Sequence, residues 1–434
     1  MIENKFYDLD DKLYYKKLDN GLNVYIIPNN NVSNFYLSLF TKYGSNDLKF
    51  KKDNEKEYHN IHPGTAHFLE HLMFHKENKV NILDEFEKLQ ISSNAYTSND
   101  ITCFVAYGNN NYDDALRLLI NYVYHPYFPE ENIERERGVI LSEAKGYIDD
   151  PYRALHDEVN ESVYNKLHYK IKVEGSLDDI KNINSDDINS AYNTFYHPSN
   201  MTLLITGNVN IDSTMNIIND VFSKLSFSKP FKINREVIDE DENVNRKNYS
   251  TKGLVSSPSV RIIIKNKLDR FSNLNITKKE LDYYIKIITA CNFGDTSEFK
   301  YKLDDEYKIS VNHGGYTSLQ NNIINITLYG KITNNNQEQL DKFINICKEH
   351  INNLNVTKED FNRKKKIFIA NFINIFDRVD TLNYKFTNDI INYDEISTNE
   401  IKLINNLDYD KCLEVIKLIN INNQAIVTML PNGK

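Results

Sequence analysis

The alternation of apolar and polar positions predicts both strands and helices in the first hundred residues. LDNGLNVYIIPNN at 18–30 alternates around an Asn-Gly turn, which is typical of a hairpin strand. A polar loop is expected at roughly 44–61, followed by helices through AHFLEHLMFHK and NILDEFEKL. ISSNAYTSNDITCFVAYG at 91–108 then predicts two strands joined by a polar turn.

Helical spacing dominates the next stretch, and one arrangement of elements occurs twice. Helices are predicted in DDALRLLINYVYH, from Glu130 towards Tyr147, and from Pro151 to Asn165. A helix, a turn and a strand follow one another at 185–210 and again at 408–432. Such units recur in many proteins that mix helices and strands, but their shared order and spacing favour a duplication. The Gly-Gly pair at 314–315, after His313, indicates a turn.

These patterns predict an α+β fold of two similar halves, each a mainly antiparallel sheet with helices packed on it. The charged stretch INREVIDEDENVNRKNYSTKG has the composition of an exposed linker. We therefore expect an N-terminal domain at 1–230, a linker at 231–256 and a C-terminal domain at 257–434.

Composition and charge exclude several classes of protein. The 61 acidic residues outnumber the 52 basic ones, which disfavours nucleic acid as a partner. The Lys-rich run RKKKIF at 363–368 is more typical of a solvated helix face. The four cysteines show no CxxC spacing, which indicates reduced thiols. Neither a targeting signal nor a membrane-spanning apolar run is recognisable, so we expect a cytoplasmic protein without membrane attachment.

The motif HFLEH at 67–71 carries the most specific chemistry in the chain. On a helix, His67 and His71 lie on one face, so both imidazoles can bind the same ion. Glu70 projects from the same side, where it would act as base towards a water bound to Zn²⁺. The same ligands could also bind manganese or cobalt. Two surface histidines beside a solvated glutamate are the alternative, and the apolar residues that follow the motif disfavour it.

A catalytic zinc ion needs a third protein ligand. IERERGVILSEAKGYIDDP at 133–151 offers Glu136 and Glu143, which lie two helical turns apart and share a face. Two glutamates at this spacing are also common on solvated helices. The spacing alone therefore leaves the third ligand open.

Several separated segments together resemble one family of metallopeptidases. They are GTAHFLEHLMF, SSNAYTSNDIT, HPYF, ERERGVILSEAKGYIDDP and FYHPSNMTLLITGNV, and they cover most of the first half in order. The chain resembles the pitrilysin/insulinase-type inverzincins, and in particular bacterial relatives of the mitochondrial-processing-peptidase β subunit. The resemblance implies that His67, His71 and Glu143 ligate zinc. It further implies Glu70 as base and Glu136 as a supporting carboxylate.

The resemblance also extends to the substrate site, with one departure. It implies that SSNAY at 92–96 is an edge strand that pairs with an extended peptide, with Asn94 and Ala95 contacting substrate. Active relatives carry an Arg and a Tyr in the second half. FKYKLDDEYKISVNHGG has Asp304 where the Arg is expected, and Tyr307 does not fit the spacing of the Tyr.

The expected function is a zinc-dependent endopeptidase that cleaves peptides or short unfolded segments. The resemblance implies a chamber formed by two such chains, as a homodimer or as a heterodimer with a related chain. The alternative is a non-catalytic or peptide-binding subunit of a heterodimeric peptidase complex. Such subunits lose metal ligands or the base, whereas this chain keeps all four residues. They are His67, Glu70, His71 and Glu143.

Overall fold

Two compact units make up the chain, and each is assembled from three separate segments. The computed structural model describes residues 1–77, 80–333 and 336–432. The first unit comprises Met1–Lys145, Ile171–Val237 and Ile373–Thr398. The second comprises Gly146–Lys170, Ile238–Phe372 and Asn399–Lys434.

Both units contain strands and helices. The strands are β1 (Ile2–Lys5), β2 (Lys12–Lys17), β3 (Asn23–Pro28), β4 (Phe35–Thr41), β5 (Lys49–Lys52), β6 (His59–Asn60), β7 (Ser92–Thr97), β8 (Thr102–Gly108), β9 (Met201–Gly207), β10 (Ile233–Arg235), β11 (Asn248–Gly253), β12 (Ser259–Lys267), β13 (Val311–Gln320), β14 (Ile323–Ile332) and β15 (Gln424–Pro431). The helices are α1 (Thr65–Met73), α2 (Ile82–Lys88), α3 (Tyr112–Tyr124), α4 (Glu130–Gly146), α5 (Pro151–Val163), α6 (Leu177–Asn182), α7 (Ser185–Phe195), α8 (Ile211–Ser223), α9 (Lys278–Phe293), α10 (Glu298–Asp305), α11 (Gln337–Ile351), α12 (Lys358–Asn374), α13 (Val379–Tyr393), α14 (Glu400–Asn406) and α15 (Tyr409–Leu418).

The first unit is built on a sheet in the order β1-β2-β3-β9-β4-β8-β7. Strand β9 pairs parallel with β3, and the other neighbours are antiparallel. Every residue of β9 is buried, because helices cover both faces of the sheet at its centre. This explains why MTLLITG is an almost unbroken apolar run rather than an alternating one. Strand β7 forms one edge of the sheet.

The second unit repeats this topology. Its sheet has the order β11-β15-β12-β14-β13, and only β11 and β15 pair in parallel. The order corresponds strand for strand to β3-β9-β4-β8-β7 in the first unit. The expectation of two similar, mainly antiparallel α+β halves is therefore confirmed.

Each half of the sequence contributes one helix to the unit formed mainly by the other half, so contiguous domain bounds do not describe the units. Helix α5 packs on β15 and β11 of the second unit, where Leu155 contacts Val427 and Met429. Helix α13 packs on β9 and β4 of the first unit. The bounds 1–230, 231–256 and 257–434 differ from the units for this reason, since each helix buries its apolar face on the other half's sheet.

Two local expectations are wrong. The segment at 44–61 is not all loop, because β5 and β6 join β10 in a small three-stranded sheet. The glycine pair at 314–315 lies inside β13, not in a turn. The four cysteines are free thiols, and three of them are buried, as expected. Within the described residues, no helix combines the length and apolarity needed to cross a bilayer.

Candidate metal centre

Helix α1 presents the first two metal-binding candidates. Its N-cap is Gly64, whose φ of 89° and whose backbone contact with Glu174 exclude a side chain. A Cβ atom there would lie 2.2 Å from the Glu174 carbonyl oxygen. Phe68 and Leu69 are fully buried and fix the helix in the core. The opposite face then presents the imidazoles of His67 and His71, as the helical spacing predicts.

Helix α4 brings the carboxylates to the same place. Ile133 and Ile140 are buried, and Glu136 and Glu143 share their face at helical spacing. The hydrophobic side chains hold the helix against the core. Packing of α4 thereby directs two glutamates towards α1.

The side chains of His67, His71 and Glu143 converge on one point. One donor atom from each lies within 4.8 Å of the other two. The Glu143 Oε2 atom lies 4.0 Å from His67 Nε2 and 3.5 Å from His71 Nε2. Ligands of a tetrahedral zinc ion lie about 3.3 Å apart, given metal–ligand bonds of about 2.0–2.1 Å. Two imidazoles and one carboxylate also form a donor set typical of catalytic zinc, so these residues fit the ion.

Glu136 contacts the imidazoles of His71 and His75. Its carboxylate lies 3.6 Å from His71 Nδ1 and 2.8 Å from His75 Nε2. Burial opposes ionisation, but hydrogen bonds from His71 and His75 outweigh it and hold the pKa of Glu136 below its ordinary value. A carboxylate on Nδ1 leaves Nε2 of His71 free to bind a metal ion.

His75 is a residue that the sequence analysis did not assign to the site. Its imidazole contacts the buried Glu136. Its position four residues after His71 is the signal that could have revealed it. The helix ends at Met73, but the side chain still lies on the side of α1 that faces α4.

Glu70 occupies a buried position beside the metal-binding donors. Its side chain accepts a hydrogen bond of 2.6 Å from Thr97 Oγ1 on β7. Burial raises the pKa of the Glu70 carboxyl, while the Thr97 hydrogen bond and the charge of His71 oppose that rise. Thr97 is a second contact that the sequence analysis missed, because only the fold brings β7 against α1.

The candidate substrate residues lie on the edge strand. Asn94 is exposed and Ala95 is buried, and they pair in register with Val105 and Phe104 of β8. The Asn94 Oδ1 atom accepts a hydrogen bond of 2.9 Å from the backbone N–H of Ala95. Within the described part of the chain, β8 pairs with one side of β7 and no strand pairs with the other, so the outer side of β7 is an open edge.

Comparisons with known proteins agree with this geometry. The family model described as "Insulinase (Peptidase family M16)" matches residues 54–176, and the model described as "Peptidase M16 inactive domain" matches residues 182–262. The relative named "Uncharacterized zinc protease YmfH" of Bacillus subtilis is 32% identical over 293 residues, covering 68% of each chain. The chain belongs to peptidase family M16.

Other relatives and solved structures extend the similarity. The β subunit of the mitochondrial-processing peptidase of Mus musculus is 31% identical over 196 residues, covering 44% of this chain and 38% of the relative. A "putative M16-like peptidase" from Alicyclobacillus acidocaldarius has a TM-score of 0.89 at 23% identity, covering 98% of this chain and 99% of that one. A protease from Helicobacter pylori has a TM-score of 0.81 at 20% identity, covering 97% and 100%. The two structures show the fold.

The candidate residues of this M16 chain fall within one matched region. All seven lie between residues 54 and 176, where the insulinase model matches. They are His67, Glu70, His71, Asn94, Ala95, Glu136 and Glu143. In the second unit, Asp304 forms an ion pair with Lys300 on α10, and Tyr307 packs against the core. The Arg expected at position 304 is thus replaced by an acid engaged in its own helix.

Proposed function

We propose that this M16 chain is a zinc-dependent endopeptidase that cleaves peptides or short unfolded segments. The observation that carries the proposal is the convergence of His67, His71 and Glu143 beside the buried carboxyl of Glu70. A family fold alone would not support a reaction, since folds are reused for other functions. A complete donor set with a neighbouring base does support one.

Each residue of the site has a separate role in the proposed hydrolysis. Bound zinc supplies a Lewis acid that polarises the carbonyl and lowers the pKa of water to about 7. Glu70 accepts a proton from the water that attacks the peptide carbonyl and delivers it to the leaving amine nitrogen. Thr97 holds the Glu70 carboxylate in place through its hydroxyl. Glu136 lies beside Nδ1 of His71, where it would orient the imidazole and offset the positive charge of a bound ion.

The substrate is proposed to bind as an additional strand. The outer side of β7 offers backbone donors and acceptors to an extended peptide, and such pairing gives affinity with little sequence preference. Asn94 and Ala95 lie on this strand and would contact the peptide near the bond to be cleaved. The proposal also includes a homodimer or a heterodimer with a related chain that encloses the substrate. A cytoplasmic location stays a prediction.

The replacement Glu70→Gln tests the proposed base. We expect the variant to retain one zinc ion per chain, because Glu70 is not a ligand. Its cleavage of a peptide library should fall by a factor on the order of 100 to 10,000, the usual contribution of a general base. Zinc content by mass spectrometry and product analysis of the library are the measurements.

The control is Glu85→Gln, since Glu85 is partly exposed on α2 and pairs with Lys88. This variant should cleave like the wild type. Unchanged cleavage by the Glu70→Gln variant in a pure sample would exclude Glu70 as base. If the wild type binds peptides but cleaves none, alone or with a related chain, the non-catalytic subunit is the better description.

A further inference from the structure

The second unit contains a cavity that the proposed reaction does not use. It has a volume of about 280 Å³ and lies on one face of the β12–β14 region, beside the first turn of α5. Arg261 of β12 and Lys331 of β14 line it, together with Tyr152 of α5 and Tyr329 of β14. The register pairs Arg261 with Tyr329 and Ser259 with Lys331, so all of these strand residues share one face.

The two cations of this cavity have aromatic and hydroxyl partners instead of carboxylates. The Arg261 guanidinium lies 5.4 Å from the centre of the Tyr329 ring and donates to the backbone carbonyl of Val260. Lys331 Nζ lies 3.3 Å from the Tyr152 hydroxyl. Within the described part of the chain, neither cation forms an ion pair with an Asp or a Glu. Both are thus uncompensated in a protein whose net charge is −9.

Burial makes the arrangement costly. Arg261 is partly buried, and this burial lowers the pKa of its guanidinium. A partly desolvated cation without a counter-ion is destabilising, and an anion bound beside it would offset that cost. The Asp150 carboxylate, at the start of α5, is engaged in capping that helix by accepting from the N–H groups of Tyr152 and Arg153.

The position of the Tyr329 ring, which lines the cavity, depends on a glycine of β13. A Cβ atom at Gly314 would lie 2.6 Å from the Tyr329 hydroxyl, so only glycine lets the ring lie across β13. The ring of Tyr329 in turn lies 6.4 Å, centre to centre, from the ring of Tyr316 on β13. The cavity is therefore small, cationic and lined with phenols, and it has room for one acidic group rather than for a polyanion.

We infer that this cavity binds a carboxylate of a peptide through Arg261 and Lys331. The inference rests on the proposed function, since it takes the ligand to be a peptide. Diagonal positions on neighbouring strands lie about 7–8 Å apart, so these two long side chains can reach a single carboxylate. A guanidinium offers two parallel N–H groups that match the two carboxylate oxygens.

The carboxylate has two possible sources, namely the C-terminus of the peptide and an acidic side chain. Four decapeptides of one neutral parent sequence separate them. They are the peptide with a free C-terminus, its C-terminal amide, the amide with one internal Glu, and the amide with Gln at that position. Binding is measured with the zinc-loaded Glu70→Gln variant, so that cleavage does not consume the peptides.

The direct readout is acetylation of lysine amines by an N-hydroxysuccinimide ester, followed residue by residue with mass spectrometry. We expect peptides with a carboxylate to slow acetylation of Lys331 and the neutral amides to leave it unchanged. The exposed Lys252 on β11 serves as the internal control and should react equally with every peptide. Equal protection of Lys331 by the neutral amide, or no protection by any of the four, would overturn the inference.

Fluorescence anisotropy on labelled forms of the same peptides tests the residues. Arg261→Met should weaken binding of the carboxylate peptides by about tenfold, the scale of one lost hydrogen bond to a charged group. Binding of the neutral amide should not change. Lys331→Gln gives a second variant if the Met side chain perturbs folding, and Lys252→Gln is the matched control. Equal weakening of all four peptides, or of none, contradicts the assignment.

The outcomes also separate this inference from the proposed function. Protection of Lys331 by carboxylate peptides, together with a wild type that cleaves nothing, would leave the cavity assigned and the peptidase reaction rejected. Cleavage by the wild type, together with an unprotected Lys331, would reject the cavity and leave the reaction in place.

Discussion

The two units share one topology but differ at every position that carries chemistry. Helices α4 and α12 each have 17 residues and occupy the same place in the order of elements. Counted from their first residues, Glu136 corresponds to Lys364 and Glu143 to Asn371. Helix α9, which corresponds to α1, contains no histidine. The fold alone therefore does not create the metal-binding donor set, and a few side chains make the difference.

Packing differs at the same places. In the first unit, α1 contacts the edge strand through the polar pair of Glu70 and Thr97. In the second unit, α9 approaches the edge strand β13 so closely that a Cβ atom at Gly315 would lie 2.9 Å from Thr289 and 3.0 Å from Phe293. Around α1 the first unit buries the carboxylates of Glu70 and Glu136, which cost stability, while the second unit fills the junction of α9 and β13 with close contacts. This contrast supports a functional reason for the carboxylates.

The largest expected effect is the loss of the third ligand. Glu143→Ala should weaken zinc binding by a factor on the order of 100 to 1000, because structural zinc sites bind with about 10–16 kcal/mol spread over four ligands. Peptide cleavage should be lost in parallel. Competition with a fluorescent chelator measures the affinity.

The matched change is Asn371→Ala, at the corresponding and exposed position of α12. It should leave both zinc affinity and cleavage unchanged. A Glu143→Ala variant that binds zinc as tightly as the wild type would show that another donor completes the site.

A smaller effect is expected when Glu136 is replaced by Gln. The amide keeps the shape but weakens the contacts with His71 and His75, so zinc affinity or cleavage should fall about 10- to 100-fold. Lys364→Gln changes the corresponding position in the second unit, where the ammonium lies 3.1 Å from Thr296 Oγ1. That control should not alter zinc affinity per folded chain. Equal losses in both variants would indicate a general effect on folding instead of support for the imidazoles.

Sequence patterns could predict the parts of this site that depend on local spacing. The pairing of His67 with His71 follows from one helical turn, and the shared face of Glu136 and Glu143 follows from two. The choice of Glu143 as ligand came from the family resemblance, because spacing alone leaves two glutamates open. The Thr97 contact could not be predicted, since it depends on how β7 lies against α1.

The same distinction applies to the fold. Periodicity predicts most helices and strands of the first half, and the repeated helix–turn–strand unit indicates the duplication. Nothing in a helix's own pattern says which sheet will cover its apolar face. For this reason the exchange of α5 and α13 was missed, and contiguous bounds were expected. Strands β5 and β6 were missed because they are short and their polar residues resemble a loop.

The third prediction concerns the hydroxyl that holds the base. Thr97→Val keeps the shape of the side chain and removes the hydrogen bond to Glu70, which should lower cleavage about tenfold at mildly acidic pH. This hydrogen bond lowers the pKa of Glu70 against the effect of burial, so its loss raises that pKa further. Because the base acts in its ionised form, the acidic limb of the pH–rate profile should move to higher pH.

The control for Thr97 is Thr317→Val on the corresponding edge strand β13. It should leave the pH–rate profile unchanged. A shift of the acidic limb to lower pH in the Thr97→Val variant would contradict the proposed role of the hydroxyl. Equal zinc content in both variants would establish that the effect concerns the base and not the metal.

The smallest effect on the metal site is expected from glycine substitutions. They test the difference in helix packing between the two units. Gly315→Ala should lower the free energy of unfolding of the second unit by about 1–3 kcal/mol, because the added methyl group overlaps the side chains of Thr289 and Phe293. Gly138→Ala on α4 meets no atom within 4 Å and should be neutral or stabilising by up to about 1 kcal/mol. Denaturant unfolding and zinc titration of both variants are the measurements. Zinc affinity should stay at the wild-type value in each, since neither methyl group reaches a donor. If Gly315→Ala weakened zinc binding as strongly as Glu136→Gln, the chemistry of the first unit would depend on the packing of the second, and the two halves could no longer be treated as a functional site and a separate scaffold.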